Sequence, residues 1–506
     1  MAKMATSIIS RVYTVTNSLL TPAQVREMDR RAIEELGIPG YELMCRAGAA
    51  TLELARERFP AACNWAILCG AGNNAGDGYV IARLARAREM GVRVIAISDP
   101  DGLQGDAATA WSEYRAAGGQ AEMFSATTDF SDADLIIDAL LGTGLDRPLA
   151  GAYLTAVEQA NAAGAPIVAV DIPTGLSGST GEVMGAAIQA AATVTFVGLK
   201  QGLYLGAGPG CRGSLTFADL GIPTQAMADM HPDFRLFDQG CLRDLLPPRS
   251  ADSHKGLFGH VLIVGGNLGM GGAVRLAGAA ALRAGAGLVT VATRPDNVAA
   301  VLAGRPEIMC APVSSAGDLL PLLERATVIA LGPGLGKDAW AQALFDATVN
   351  CSQPLVIDAD GLNLLAAGPP RRRDDWVLTP HPGEAGRLLG QATAAVQQDR
   401  PAALSAVNTR YGGVAVLKGQ GTLVGRAGET PWLIDRGNPG MATAGMGDVL
   451  TGCLAGILAQ VPSDLAQAAA AAAWVHAMAG DRAALLGQRG LLADDVVKEL
   501  RACLNP

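Results

Sequence analysis

The chain has 506 residues, 50% hydrophobic and 17% charged, which is too long for one ordinary core and apolar enough to bury two. Its 39 basic residues against 48 acidic ones leave a net charge of −9. The one basic cluster, Arg371-Arg372-Arg373, reads as a solvated loop, so nucleic acid is excluded as a partner.

No apolar run reaches the roughly 18 residues of a membrane span, so no membrane association is expected. The first dozen residues lack a signal core and read as a loose extension. Nine scattered cysteines, without C-x-x-C or zinc spacing, suggest reduced, buried thiols and a cytoplasmic protein. The first firm element begins at Thr21-Pro22-Ala23-Gln24, where Thr caps, Pro takes the first helical position and Gln completes a capping box.

Short apolar runs then alternate with helical patterns: Trp65–Cys69, Val92–Ile97, Leu135–Ile137, Ile167–Val170 and Thr193–Val197. Near-continuous apolar strands separated by helices predict a parallel sheet covered on both faces. The stretch Met230–Asp252 loses this rhythm. A second series follows at Val261–Val264, Leu288–Ala292, Val328–Leu331, Leu355–Ile357, Trp376–Leu378 and Val414–Leu417. The expected fold class is α/β, with two tandem doubly wound domains over residues 1–235 and 236–506. The alanine tract Ala468–Ala473 reads as a buried helix.

Three strand ends of the first domain carry acids or amides beside glycines. Gly70-Ala71-Gly72-Asn73-Asn74-Ala75-Gly76-Asp77-Gly78 follows the first run. It fits a dinucleotide fingerprint only loosely, because Asn-Asn and Asp stand where small neutral residues belong. Asp138 leads into Gly142-Thr143-Gly144, and Asp171 into Pro173-Thr174-Gly175. In doubly wound sheets such loops converge on one crevice. Oxygen-rich residues of this kind suit a hard cation, although a single Asp can equally serve as a helix cap.

GNNAGDG, DALLGTGL and VDIPTGLSG resemble the epimerase domain of the bifunctional NAD(P)H-hydrate repair enzymes. The resemblance implies a Rossmann-like domain that interconverts the two configurations of hydrated NADH or NADPH. Asn73, Asn74, Ala75, Gly76, Asp77, the loop Gly142, Thr143, Gly144, Leu145, Asp146, Arg147 and Pro148, and Asp171 would contact the hydrate. Asn74, Asp138 and Thr174 would hold potassium. Asp171 is the candidate proton acceptor or donor. Ala75 stands where the family usually has Gly.

In the second domain, Gly445-Met446-Gly447-Asp448 opens an apolar helix read as Val449–Ala459. Unpaired amides at a helix start form an anion site, and an Asp at its edge can take a proton from a hydroxyl that attacks phosphorus. The same Asp could also simply complement the helix dipole.

HKGxxG, GGAxRLAGxAALRxGAGLV, GPGLG, TPHPGE, KGxxT and NPGMATAGxGDVLTG resemble the ADP-dependent dehydratases of the ribokinase-like superfamily. Here the family commonly has Gly-Thr-Gly-Asp. The resemblance implies phosphorylation of the hydrate by ADP and elimination to NAD(P)H, leaving AMP and phosphate. Ala273, Gly336, His381 and catalytic Asp448 would contact the hydrate, with a helix-cap role the other reading of His381. Lys418, Gly419, Gln420, Gly421, Thr422 and Gly447 would contact ADP, with Mg2+ at the phosphates. It also implies a homo-oligomer, a homotetramer or higher. The alternative is a vitamin-precursor or small-molecule kinase carrying a non-catalytic nucleotide-binding first module.

Overall fold

The computed structural model describes residues 17–505, so the expected N-terminal extension lies outside them for its first dozen residues. The described chain divides between Phe234 and Arg235 into two compact units.

In the N-terminal unit, seven parallel strands run in the order Ala121–Met123, Gly91–Ala96, Asn64–Cys69, Leu135–Ala139, Ile167–Val170, Ala192–Phe196, Ser214–Ala218. The chain winds outward from Asn64–Cys69 in one direction and then from Leu135–Ala139 in the other. The switch point between these two strands is where a doubly wound sheet opens a crevice at its carboxyl edge. All five expected strands of this unit are present. Ala121–Met123 and Ser214–Ala218 were not expected; both lie at sheet edges, where exposure dilutes the apolar pattern.

A short parallel ladder pairs Leu19 with Leu199 and Leu20 with Lys200. It leads directly into the helix Pro22–Glu34, whose Thr21–Gln24 capping box forms as expected. One small ladder thus fixes both the entry to that helix and the position of Lys200.

In the C-terminal unit, the strands run in the order Met309–Pro312, Leu288–Thr293, His260–Val264, Val328–Leu331, Leu355–Ile357, Trp376–Leu378, Val414–Leu417, Thr422–Arg426, Trp432–Ile434. The first seven are parallel. Thr422–Arg426 then runs antiparallel to Val414–Leu417, and Trp432–Ile434 antiparallel to Thr422–Arg426. Arg235 and Leu236 add parallel pairs to Trp432 and Leu433. The six expected strands of this unit are all present and parallel; the antiparallel pair that follows them was not expected. Lys418-Gly419-Gln420-Gly421 is a hairpin loop, and its two glycines carry the positive φ values the turn needs (+143° and +63°).

The helix Met446–Leu458 is buried almost all round, between Gly271–Arg283 and Leu465–Ala483. Small residues allow this. A Cβ on Gly452 would overlap the Ala277 carbonyl oxygen, and Ala468–Ala473 are buried as expected.

Two surface expectations are corrected. Arg373 is only 15% exposed in its side chain and donates to Asp375 and to the carbonyls of Val349, Cys351 and Gln353, so the arginine triplet ties loops together rather than floating in solvent. All nine cysteines are free, but Cys63 is exposed. No helix among the described residues is long and apolar enough to cross a membrane.

Candidate active sites

A cavity of about 420 Å³ opens at the switch point of the N-terminal sheet. Asn73, Asn74 and Asp77 line it from the start of the helix Asn73–Arg86, Gly142, Thr143 and Gly144 from the next loop, and Asp171 from the end of Ile167–Val170. Arg26 donates to the Thr143 carbonyl at 3.2 Å and ties that loop to the first helix.

Ala75 and Gly76 do not line the cavity. The Ala75 methyl is fully buried in the core, which explains how this position carries a side chain. Leu145, Asp146, Arg147 and Pro148 also lie outside its wall; Asp146, Arg147 and Pro148 are exposed.

Asp171 adopts a left-handed backbone (φ +68°), uncommon for a residue with a side chain. Its Oδ1 accepts from the Lys200 ammonium and from the Phe196 amide (3.2 Å). Lys200 is 1% exposed and also donates to the Phe196 carbonyl at 2.6 Å.

Asp138 is fully buried. It accepts from the Thr174 amide (2.8 Å), the Thr174 hydroxyl (2.7 Å) and the Leu140 amide (3.3 Å). Burial still pushes its carboxyl up to about 6, against these bonds. Thr174 in turn contacts Leu141. The Asn74 side chain lies beside Gly142, with its amide nitrogen buried and unpartnered among the described residues.

In the C-terminal unit, the expected residues gather at the carboxyl ends of five strands. Asp358, just beyond Leu355–Ile357, is the hub. It accepts from Lys418 Nζ (2.7 Å), Thr379 Oγ1 (2.8 Å) and Thr451 Oγ1 (2.8 Å). Burial works against its charge, but Lys418 and these bonds hold the carboxyl below the usual carboxylate range. Lys418 also faces Glu384 at 3.6 Å, which faces His381 Nε2 at 3.5 Å.

His381 is the N-cap of the helix Pro382–Leu389, its Nδ1 accepting from the Gly383 amide at 3.0 Å. The helix-cap role is therefore real, and the ring remains half-exposed toward the site.

Gly445 takes a left-handed conformation (φ +87°) and starts the helix at Met446, three residues earlier than expected. Gly447 lies against Asp358 and Lys418. Met446 packs into the core, so its thioether is turned away from the helix start. Burial pushes the Asp448 carboxyl up to about 7; the Asp358 charge adds to this and Lys418 opposes it.

Gly336 donates its amide to Asp360 at 2.9 Å, two residues past the hub. Its loop packs on the start of Gly271–Arg283, where Ala273 sits. The loop Lys418–Gly421 is braced from behind by Arg400, which donates to the carbonyls of Leu417, Lys418 and Gln420.

Residues 40–202 match a family model described as the YjeF-related protein N-terminus, and residues 261–502 one described as NAD(P)H-hydrate dehydratase. The bifunctional NAD(P)H-hydrate repair enzyme Nnr of Coxiella burnetii is 46% identical over 96% of this chain and 98% of its own length. The chain belongs to the bifunctional NAD(P)H-hydrate repair enzyme family. The Nnr enzyme of Escherichia coli is 44% identical over 95% of this chain and 93% of its own. A crystal structure of a hypothetical protein from Streptococcus mutans superposes with a TM-score of 0.50 at 33% identity, covering 53% of this chain and 98% of that one. Membership in the repair family sets aside the kinase alternative.

Sequence reading missed Lys200, Asp29 and Asp358 as site residues. A signal existed for Lys200: between Lys3 and Lys255 it is the only lysine, in a segment that otherwise uses arginine. A strongly hydrated ammonium retained alone among guanidinium groups marks a specific buried pairing. Asp358 was legible only as part of Ile357-Asp358-Ala359-Asp360, because its partners lie 21, 60 and 93 residues away.

Proposed function

We propose that the chain repairs hydrated nicotinamide cofactors, epimerising R and S forms of hydrated NADH and NADPH in the first domain and dehydrating the S form in the second. The carrying observation is Asp448 at a glycine-opened helix start beside the Lys418–Asp358 pair. A carboxyl held near neutrality and next to an anion-binding helix start suits removal of a proton from a hydroxyl that attacks phosphorus. The helix amides then face the transferred group.

Lys418, Gly419, Gln420, Gly421, Thr422 and Gly447 would hold ADP, which leaves as AMP once the phosphorylated hydrate eliminates phosphate. Ala273, Gly336, His381 and Asp448 would face the hydrate. Mg2+, when bound with the nucleotide, would neutralise phosphate charge.

In the first domain, Asn73, Asn74, Asp77, Gly142, Thr143, Gly144 and Asp171 face the cavity and would hold the hydrated ring. Asn74, Asp138 and Thr174 fit potassium: the Asp138 carboxylate is buried with neutral donors only, and turning the Asn74 amide would present its oxygen where the nitrogen lacks a partner. Free cysteines support a reducing cytoplasm. Leu485, Leu486 and Leu492, 84%, 100% and 60% exposed, support self-association into a homotetramer or larger.

The test is recovery of dihydronicotinamide absorbance from mixed hydrated NADH, with magnesium, potassium and either ADP or ATP. Near-complete recovery with ADP is expected. No recovery with either nucleotide refutes the reading.

A further inference from the structure

The N-terminal cavity is lined by Arg26, Asp29, Asp77, Asp106, Asp171 and Lys200 as its charged groups. They are not equivalent. Asp171 is tied down by Lys200 and the Phe196 amide. The carboxyls of Asp77, in the first turns of Asn73–Arg86, and Asp29, on Pro22–Glu34, have no hydrogen-bond or ion-pair partner among the described residues. The strands leading to Asp77 and Asp171 lie two spacings apart in the sheet, about 10 Å, so the two carboxyls reach the cavity from different elements.

We infer that this site divides its work between two carboxyls: Asp77 donates to the departing oxygen, Asp171 accepts from the incoming water, and Lys200 is the positioning residue that holds the Asp171 carboxyl in place. The inference rests on the epimerase reading of this domain.

Burial, reinforced by the charges of Asp171 and Asp29, pushes the Asp77 carboxyl well above the usual carboxylate range, with Lys200 opposing. Asp29 is pushed up only to about 6, also chiefly by burial, so it is mostly ionised at neutral pH and a poorer proton donor than Asp77. An unpartnered buried carboxyl facing the same cavity as one bound by an ammonium can divide donor and acceptor roles with it.

The chemistry balances. The Asp77 proton passes to the hydroxyl on the hydrated carbon, and the carbon–oxygen bond breaks with its electron pair leaving on water. The ring-nitrogen lone pair forms the C=N bond. Water then adds to the other face, that pair returns to nitrogen, and Asp171 takes the proton. Solvent carries it back to Asp77, so no co-reactant is consumed.

The test uses the full chain and a mixture of hydrated NADH epimers without nucleotide, following R–S equilibration by chromatography from pH 5 to 9. Dehydration of the S form and a thermal melt are measured on the same samples. Wild type that fails to exceed uncatalysed equilibration refutes the epimerase reading itself.

If wild type is active, Asp77→Asn is expected to slow equilibration about 100-fold or more. It should also abolish the fall in rate at high pH while keeping dehydration and the melt. Lys200→Gln is expected to lower kcat for equilibration far more than it changes KM, with partial rescue by Lys200→Arg, as a residue that positions Asp171 requires. Asp77→Asn within about threefold of wild type, or with its high-pH limb intact, overturns the inference. So does loss of that limb in Asp29→Asn, which would make Asp29 the donor.

Discussion

Lys418 reaches Asp358 across 2.7 Å, and Thr379 and Thr451 close the remaining sides of the same carboxylate. One fully buried charge therefore ties the hairpin strand end, the neighbouring strand end and the helix that carries Asp448.

Breaking that tie should be costly. Asp358→Asn leaves the Lys418 ammonium without its carboxylate, and removing one partner of a buried pair costs about 3–5 kcal/mol. The wild-type pair also has a defined acid limit. Because the folded carboxyl sits below 3.8, its contribution is present above that value and is lost as pH falls through the lower folded value. Denaturant unfolding of both proteins at pH 7 and near pH 3 checks this: the difference between them should be large at pH 7 and shrink in acid.

Asp448 has the opposite sign. Its folded carboxyl is raised to about 7 from 3.8, so the folded state holds its proton more tightly and stability falls as pH rises across that window. Asp448→Asn should therefore stabilise the protein at pH 8, by about 1–2 kcal/mol after allowance for its partial access to water. The same variant should lose dehydration by about 100-fold or more. In wild type, dehydration should rise with pH through about 7. A rate flat from pH 6 to 8, with substrate binding constant, would assign the base elsewhere.

Potassium dependence is open to direct measurement. Thr174→Val removes the hydroxyl that contacts Asp138 and Leu141 while keeping the side-chain shape. Epimerisation by this variant should no longer respond to potassium, whereas wild type should slow when sodium replaces it. Dehydration, in the other unit, serves as the internal reference.

The contact between Gly452 and Ala277 sets the height of the Asp448 helix. Gly452→Ala would drive a methyl into the Ala277 carbonyl, and overpacking of this kind costs about 1–3 kcal/mol. Dehydration should fall with stability, because the helix must shift and carries Asp448 with it. Retention of wild-type stability would show that the two helices separate freely.

Much of this architecture was legible. The parallel strands announced themselves because strands buried on both faces are apolar throughout, as Ile136-Ile137 and Val261–Val264 are. Glycine-rich loops after them pointed to both candidate sites, and Gly445 and Gly419 take the positive φ that glycine adopts cheaply. Edge strands such as Ser214–Ala218 escaped because partial exposure breaks the pattern. The antiparallel turn at Lys418–Gly421 escaped because its glycines were read for ligand approach rather than for chain reversal. Pairings made across long separations, Lys200 with Asp171 and Lys418 with Asp358, leave the partner unnamed in the local sequence, even where a lone lysine such as Lys200 stands out. Even a recognised loop did not disclose which residues face inward: Asp77 lines the cavity while Ala75, two positions earlier, packs into the core.

Only six lysines occur in the chain, at 3, 200, 255, 337, 418 and 498. Two of these amines pair with carboxylates, Lys200 buried and Lys418 partly buried, one in each candidate site. Isotopic enrichment at lysine alone would thus yield a spectrum of very few resonances, with one internal reporter in each half of the protein. Titrating nucleotide should perturb the Lys418 signal alone and hydrate both signals, so filling of the first site could be read from Lys200 in the same tube.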